Sequence, residues 1–146
     1  MLLPHKTEVC VADGRKLLLL VNEGDAKFPD LQVIRVEEQD NPPDRVQSTD
    51  RPGRSFNSMS NHRSAYAETD FQQLAEDRFA ADAADILRKR ALANRFDKLV
   101  VIAPPSTLGE MRKKYHKEVE ARIVGEIAKE ATNLPPEGIA AMIDAA

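Results

Sequence analysis

Alternating and continuous apolar stretches at the start of the chain predict a β-hairpin. Residues 7–12 place Thr and Val side chains on one face of a strand and Cys and Ala on the other. The run 17–21 is apolar on both faces, which indicates a central strand covered on both sides. Asp13 and Gly14 between the two strands favour a two-residue type I′ turn, whose central residues take positive φ angles.

The next segments predict an edge strand followed by a long loop. Residues 31–36 are β-branched but mixed in pattern, which favours a third strand near the edge of the sheet. From about 38 to 68 the chain is rich in Pro, Ser, Asn, Asp and Arg and has few apolar anchors. Loops of this length inside a domain tend to be functional or disordered, so we look for function here first.

A long helix and a buried strand follow the loop. Thr69 or Asp70 can cap a helix over about 70–93, which Asn94 can end. Its apolar stripe comprises Phe71, Leu74, Ala75, Phe79, Ala83, Ile86, Leu87 and Ala91. The apolar run 99–103 before two prolines predicts a buried strand.

The last third of the chain predicts a helix, a strand and a helix. Ser106 can cap a helix to about residue 114, with Leu108, Met111 and Tyr115 facing inward. Residues 122–129 alternate like a strand, although 119–127 also fit a helical period. A final helix from 135–136 to about 145 buries Ile139, Met142 and Ile143. The order predicts one α/β domain, 1–146, with a mixed sheet flanked by helices.

Composition narrows the class of protein without identifying its activity. The chain has 146 residues and a formal net charge of -3, which is too small to indicate a nucleic-acid or membrane partner by itself. Its apolar runs are too short to span a membrane, and no signal peptide is recognisable at the start. The single cysteine excludes an intramolecular disulfide. We therefore expect a cytoplasmic protein.

The usual catalytic and cofactor motifs are missing from the sequence. The six glycines are dispersed, so there is no phosphate-cradling loop, and no serine lies in a nucleophile elbow. The three histidines lie in separate segments and form no metal-ligand pair. Cys10 sits among apolar neighbours and is expected to act as a small hydrophobe. We predict no metal, no cofactor and no assignable catalytic group.

Local charge is more informative than total charge. Residues 51–67 contain no acid and combine basic, hydrogen-bonding and aromatic groups, a mixture suited to RNA. A second acid-free cluster spans 112–117. The candidate RNA-binding residues are Arg51, Arg54, Ser55, His62, Arg63, Arg112, Lys113 and Lys114. The alternative is an ordinary solvated surface, because cations at a helix C-terminus are favourable by themselves.

Several sequence blocks resemble the bacterial family of host attachment proteins, described as proteins required for attachment to host cells. The main blocks are Phe96-Asp97-Lys98-Leu99-Val100-Val101-Ile102-Ala103-Pro104-Pro105, Leu108-Gly109-Glu110-Met111-Arg112-Lys113, Val124-Gly125-Glu126-Ile127-Ala128-Lys129-Glu130 and Asn133-Leu134-Pro135. Further matches are Val11-Ala12-Asp13-Gly14, Arg51-Pro52-Gly53-Arg54-Ser55 and Arg78-Phe79-Ala80. The resemblance therefore covers nearly the whole chain.

That family is similar to the central domain of archaeal and eukaryotic peptide-chain release factors and of related ribosome-rescue factors. The similarity implies an RNase-H-like mixed sheet flanked by helices. In those factors the long loop before the first long helix carries a Gly-Gly-Gln motif that enters the peptidyl-transferase centre. This chain has no Gly-Gly-Gln, so the resemblance implies where function lies and leaves peptidyl-tRNA hydrolysis unsupported.

Three hypotheses about function remain open. The first is a non-catalytic module that binds the ribosome or structured RNA, with both basic clusters facing one side. The second is a hydrolase acting on peptidyl-tRNA or a similar ester through Ser55 or His62. The third is a protein-partner module with an indirect cytoplasmic role in bacterial attachment to a host, for which an exposed apolar patch would be the distinguishing feature.

Overall fold

A five-stranded mixed sheet forms the centre of the computed structural model, which describes residues 1–39 and 60–146, with side chains for 1–39 and 70–146. The strands are β1 (Glu8–Ala12), β2 (Lys16–Asn22), β3 (Leu31–Glu38), β4 (Leu99–Ile102) and β5 (Ile123–Ile127). The helices are α1 (Ser60–Leu92), α2 (Pro105–Arg112), α3 (Lys117–Glu120) and α4 (Pro136–Ala145).

The strand order is β3-β2-β1-β4-β5. β1 pairs with β2 antiparallel and with β4 parallel, β2 and β3 are antiparallel, and β4 and β5 are parallel. The ends of β1, β4 and β5 therefore meet along one side of the sheet, which we call the carboxyl edge; the opposite side is the amino edge. The predicted α/β class, with a mixed sheet flanked by helices, is confirmed.

Two apolar cores lie on opposite faces of the sheet. Helices α1, α2 and α3 cover one face, where Cys10 and Ala12 of β1 point. Helix α4 covers the other face, where Val9 and Val11 point. The predicted alternation along β1 is therefore confirmed. The side chains of β2 also divide between the two cores, so its apolar run is covered on both sides as predicted.

The turn between β1 and β2 differs from the predicted type I′ turn. Neither Asp13 nor Gly14 has a positive φ angle. Instead, the Asp13 carboxylate accepts hydrogen bonds from the backbone N–H groups of Arg15 at 2.7 Å and Lys16 at 2.8 Å. This side-chain turn satisfies the backbone locally, so the chain reverses without left-handed residues.

Helix α1 begins ten residues before the predicted start, at Ser60, so neither Thr69 nor Asp70 is its first residue. The predicted loop to residue 68 is therefore wrong from residue 60 onward. Phe71 and Leu74 were assigned to the buried stripe, but they are 61% and 56% exposed. Residues four apart in a helix are offset by about 40° around its axis. The row of apolar residues that faces the core from Phe79 onward has therefore rotated away from the core at Phe71 and Leu74.

The end of the chain follows the prediction with three differences. Helix α2 starts at Pro105, with no side-chain cap, so Ser106 is not its N-cap. Proline suits a first helical turn because its missing N–H would be unpaired there anyway. The short helix α3 was not predicted. Strand β5 and helix α4 are confirmed, and in α4 Ile139 and Ile143 are buried whereas Met142 is only half-buried.

Candidate functional site

The first predicted basic cluster falls largely outside the described residues. Arg51, Arg54 and Ser55 lie in 40–59, which the structure does not describe. His62 and Arg63 lie in helix α1 and not in a loop, and the structure describes only their backbone. Their common orientation with the second cluster therefore stays a prediction.

The chain enters this segment from a well-fixed position at the carboxyl edge. The backbone N–H of Gln39 donates to the carbonyl of Arg15 at 2.7 Å. The Gln39 side-chain amide donates to the carbonyl of Ala75 in α1 at 3.1 Å. The two bonds tie Gln39, directly after β3, both to the β1–β2 turn and to α1, so Gln39 has a defined position at the carboxyl edge.

Asp13 joins two parts of the carboxyl edge, the β1–β2 turn and the β5–α4 connection. One carboxylate oxygen holds the β1–β2 turn, and the other accepts a hydrogen bond from the buried hydroxyl of Thr132 at 2.7 Å. Gly14 lies directly under Glu76 of α1, where an added Cβ would come within 2.5 Å of the Glu76 carboxylate. Asp13 therefore ties the turn to the β5–α4 connection, and Glu76 of α1 lies close to Gly14 in the same turn.

The second basic cluster lies at the end of α2, beside β5. Arg112 forms an ion pair with Glu126 of β5, with nitrogen and oxygen 3.1 Å apart. Lys113 and Lys114 share the carboxylate of Glu110 at 3.0 Å and 3.3 Å. Hydrogen bonds from Lys113 and then Lys114 lower the pKa of the partly exposed Glu110 carboxyl. The cluster lacks an acid in sequence, but folding brings two carboxylates to it.

These ion pairs do not remove the cluster from solvent. The side chains of Arg112 and Lys113 are 56% and 69% exposed. Because these cations remain accessible to solvent, a phosphate can compete with the carboxylates for them. Three basic side chains, Arg112, Lys113 and Lys114, thus share two carboxylates, which leaves an excess of one positive charge within the cluster.

Tyr115 and His116, which follow the second cluster in the chain, both form hydrogen bonds with their surroundings. The Tyr115 hydroxyl donates to Glu126 at 3.4 Å, and burial, followed by the nearby Cys10 and Glu126, raises the Tyr115 pKa above its ordinary value. The ring of His116 accepts a hydrogen bond from the backbone N–H of Glu118 at 3.0 Å and so caps α3. His116 thus has a structural role that its isolated position in the sequence did not reveal.

The described side chains provide no obvious catalytic centre. Cys10 is fully buried, and desolvation, with a smaller contribution from Glu8, raises its pKa to about 12, so its thiol is protonated at neutral pH. Within residues 1–39 and 70–146, no group of three or more His, Cys, Asp or Glu residues could hold a metal ion. Among the described helices, none is both long enough and apolar enough to cross a membrane.

Comparison with known proteins identifies a family for nearly the whole chain. A family model described as bacterial archaeo-eukaryotic release factor family 12 matches residues 6–143. The match includes all five strands and both ends of the segment 40–59. The comparison with curated proteins gave no match.

Proposed function

Because the chain belongs to bacterial archaeo-eukaryotic release factor family 12, we propose that it is a translation-related module that binds the ribosome or a structured RNA. The binding surface combines the first cluster, Arg51, Arg54, Ser55, His62 and Arg63, with the second cluster, Arg112, Lys113 and Lys114. The proposed role is non-catalytic, since the sequence has no Gly-Gly-Gln and the described side chains form no catalytic constellation.

The observation that carries this proposal is the exposed cationic end of α2 in a member of a release-factor family. Three consecutive basic side chains lie at a helix end, and they pair with two carboxylates, Glu126 and Glu110, that are each about a quarter exposed. Arginine and lysine provide most contacts to nucleic-acid phosphates, and such contacts position a protein without reading sequence. RNA phosphates would thus replace Glu110 and Glu126 as partners.

The site of the first cluster adds to the argument. The described chain before this cluster ends at Gln39, which is hydrogen-bonded at the carboxyl edge, and the chain is described again from Ser60, where α1 begins. A segment that starts from a fixed scaffold can present basic residues at one place although its own sequence has few apolar anchors. We therefore assign Arg51, Arg54 and Arg63 to the same RNA contact.

Co-sedimentation with ribosomes at low salt tests the proposal. We expect the parent protein to pellet with ribosomes and the variant Arg112→Ala/Lys113→Ala/Lys114→Ala to pellet less. The variant Arg51→Ala/Arg54→Ala/Arg63→Ala should also lose binding. The matched control is Lys27→Ala/Arg95→Ala/Lys98→Ala, which removes three exposed charges near the amino edge and should pellet like the parent.

Equal loss of binding in the control would show that only total charge matters and would contradict a defined surface. Failure of the parent protein to pellet even at low salt would reject ribosome binding. Cleavage of a peptidyl-tRNA ester that disappears in Ser55→Ala or His62→Ala would instead support the hydrolase.

A protein-partner function is the second candidate, because β3 exposes apolar side chains. Val33, Ile34 and Val36 are each about half exposed on this edge strand. Such exposure on adjacent residues is typical of an interaction surface. A role in attachment to host cells would act through a partner of this kind, and loss of attachment in a deletion strain, restored by a variant defective in ribosome binding, would favour it.

A further inference from the structure

We propose that Glu110 is an intramolecular competitor that keeps single small anions away from Lys113 and Lys114, so that these lysines bind a ligand with several linked phosphates, such as an RNA backbone. The inference rests on the proposed function, because it concerns the same RNA contact. It assigns to an acidic residue the task of deciding which anions occupy the second basic cluster.

Glu110 contacts both lysines at the same time. One carboxylate oxygen, Oε1, lies 3.0 Å from Nζ of Lys113, and the other, Oε2, lies 3.3 Å from Nζ of Lys114. Both oxygens are therefore engaged, each by a different cation. The hydrogen bonds from Lys113 and Lys114 also lower the pKa of the Glu110 carboxyl, so the competitor is ionised at neutral pH.

The helix holds this carboxylate beside the lysines. Lys113 and Lys114 follow Glu110 by three and four residues, the spacings at which side chains are neighbours on a helix surface. Lys113, directly after α2, still has helical backbone angles, with φ of -69° and ψ of -18°. An acid that precedes a base by four residues is also the more favourable order for a helical ion pair. The contact is thus built into the fold of α2.

A single anion competes with Glu110 at a disadvantage. Because Glu110 belongs to the same helix as the lysines, its carboxylate acts at an effective concentration at least on the order of millimolar. A free phosphate must exceed this concentration to replace the carboxylate, and it loses translational freedom when it binds. Inorganic phosphate or a mononucleotide should therefore occupy the cluster weakly.

An RNA backbone does not have this disadvantage. Once one phosphate contacts Arg112 or the first cluster, the next phosphates reach Lys113 and Lys114 without a further encounter, just as Glu110 does. The side chain of Lys113 is 69% exposed even while it is paired, so a phosphate can approach it from solvent. Each contact also releases counterions from the RNA. Linked phosphates can therefore displace Glu110 where a single one cannot.

Asp85 provides a matched control with the same arrangement. On α1, Asp85 pairs with Arg88 at 2.7 Å and with Lys89 at 3.2 Å, again three and four residues later. These cations lie outside both basic clusters. Asp85→Asn therefore removes a bridging carboxylate, and the same unit of charge, away from the proposed RNA contact.

A co-sedimentation titration of the full chain with ribosomes at low salt tests the proposal. Glu110→Gln keeps the size of the side chain and removes its charge, and should bind roughly threefold or more tightly than the parent. Asp85→Asn should stay within about twofold of the parent. The gain in Glu110→Gln should shrink at higher salt, where screening weakens the competing ion pairs. An equal gain in both variants would overturn the proposal.

The lysines themselves locate the effect. In the background Lys113→Ala/Lys114→Ala, the change Glu110→Gln has no lysine to free and should alter affinity by less than about twofold. A full gain that persists in this background would show a general effect of charge and would overturn the proposal.

Inorganic phosphate tests the exclusion of single anions. In Glu110→Gln, the backbone amide resonances of Lys113 and Lys114 should shift on addition of millimolar phosphate. The parent should show much smaller shifts at the same ionic strength set with chloride. Equal shifts in the two proteins would overturn the proposal.

The outcomes separate this inference from the proposed function. A parent protein that binds ribosomes, together with a Glu110→Gln variant that binds equally well or less well, would reject the role of Glu110 and leave RNA binding intact. A lower affinity would identify Glu110 as a residue that positions the lysines instead of competing for them. Failure of both proteins to bind would reject the proposed function and this inference together.

Discussion

At the scale of single residues, Leu87 was predicted from sequence to lie in the core, and it does. It is fully buried between α1 and the sheet. Leu87→Ala should lower the free energy of unfolding by about 2–5 kcal/mol, because it removes buried contacts and leaves a cavity.

Leu92 of the same helix provides the control, since it is 54% exposed. Leu92→Ala should change stability much less. Urea denaturation of both variants gives the comparison, and equal losses would mean that the buried face of α1 is assigned incorrectly.

Cys10 gives a prediction about pH. Burial raises its folded-state pKa to about 12, above the value in an unfolded chain. Above a pH of about 9 the thiol ionises in the unfolded chain but stays protonated in the folded protein, so the free energy of unfolding falls as the pH rises toward 12. Below a pH of about 9 this group causes no pH dependence of stability. The Cys10→Ala variant should lose less stability than the parent across this interval. Urea titrations at several alkaline pH values check the difference, and parallel curves would contradict it.

At the scale of secondary structure, the end of α1 depends on one left-handed residue. Asn94 has a φ of 60°, its N–H donates to the carbonyl of Ala91 at 2.9 Å, and Arg95 N–H donates to Arg90 at 2.9 Å. This pair of bonds is a Schellman motif, which favours Gly or Asn at the left-handed position. The Arg122 guanidinium donates to the carbonyl of Ala91 and, at 3.3 Å, to the side-chain oxygen of Asn94.

Asn94→Val should therefore destabilise the protein by about 1–2 kcal/mol, because a β-branched residue is strained in the left-handed region. Asn94→Gly loses the same side-chain contact with Arg122 but has no backbone strain, and should be close to the parent. Thermal unfolding measured by circular dichroism distinguishes these cases. Similar melting of the Val and Gly variants would refute this explanation of the helix end.

Sequence patterns predicted those strands and helices whose residues are determined by their own burial pattern. The apolar runs of β2 and β4 needed no distant information, because a strand buried on both faces is apolar on both faces. The start of α1 could not be predicted in this way, since residues 60–69 have few apolar positions to show a helical period. The α2 cap was mispredicted because proline preorganises the first turn without the expected serine.

Ion pairs between residues far apart in the chain could not be predicted from sequence patterns. Glu8 reads as a polar residue at the start of a strand, yet it is buried and paired with Arg90, with the closest atoms 2.6 Å apart. The ion pair of Arg112 with Glu126 likewise needs β5 beside α2. Glu110, three and four residues before the two lysines, was the one partner that helical spacing could have indicated.

At the scale of the whole molecule, a net charge of -3 conceals a local concentration of basic side chains. At the end of α2, Arg112, Lys113 and Lys114 lie beside two carboxylates. The proposed RNA contact depends on this local arrangement and not on the total charge.

The salt dependence of ribosome binding tests the central claim most directly. Each phosphate neutralised by the protein releases counterions, so the logarithm of affinity should fall linearly with the logarithm of salt concentration, by about 0.7–0.9 per phosphate. We expect a steep slope for the parent and a slope smaller by roughly two for Arg112→Ala/Lys113→Ala/Lys114→Ala. An affinity independent of salt, or identical slopes for the parent and the variant, would contradict RNA binding through this surface.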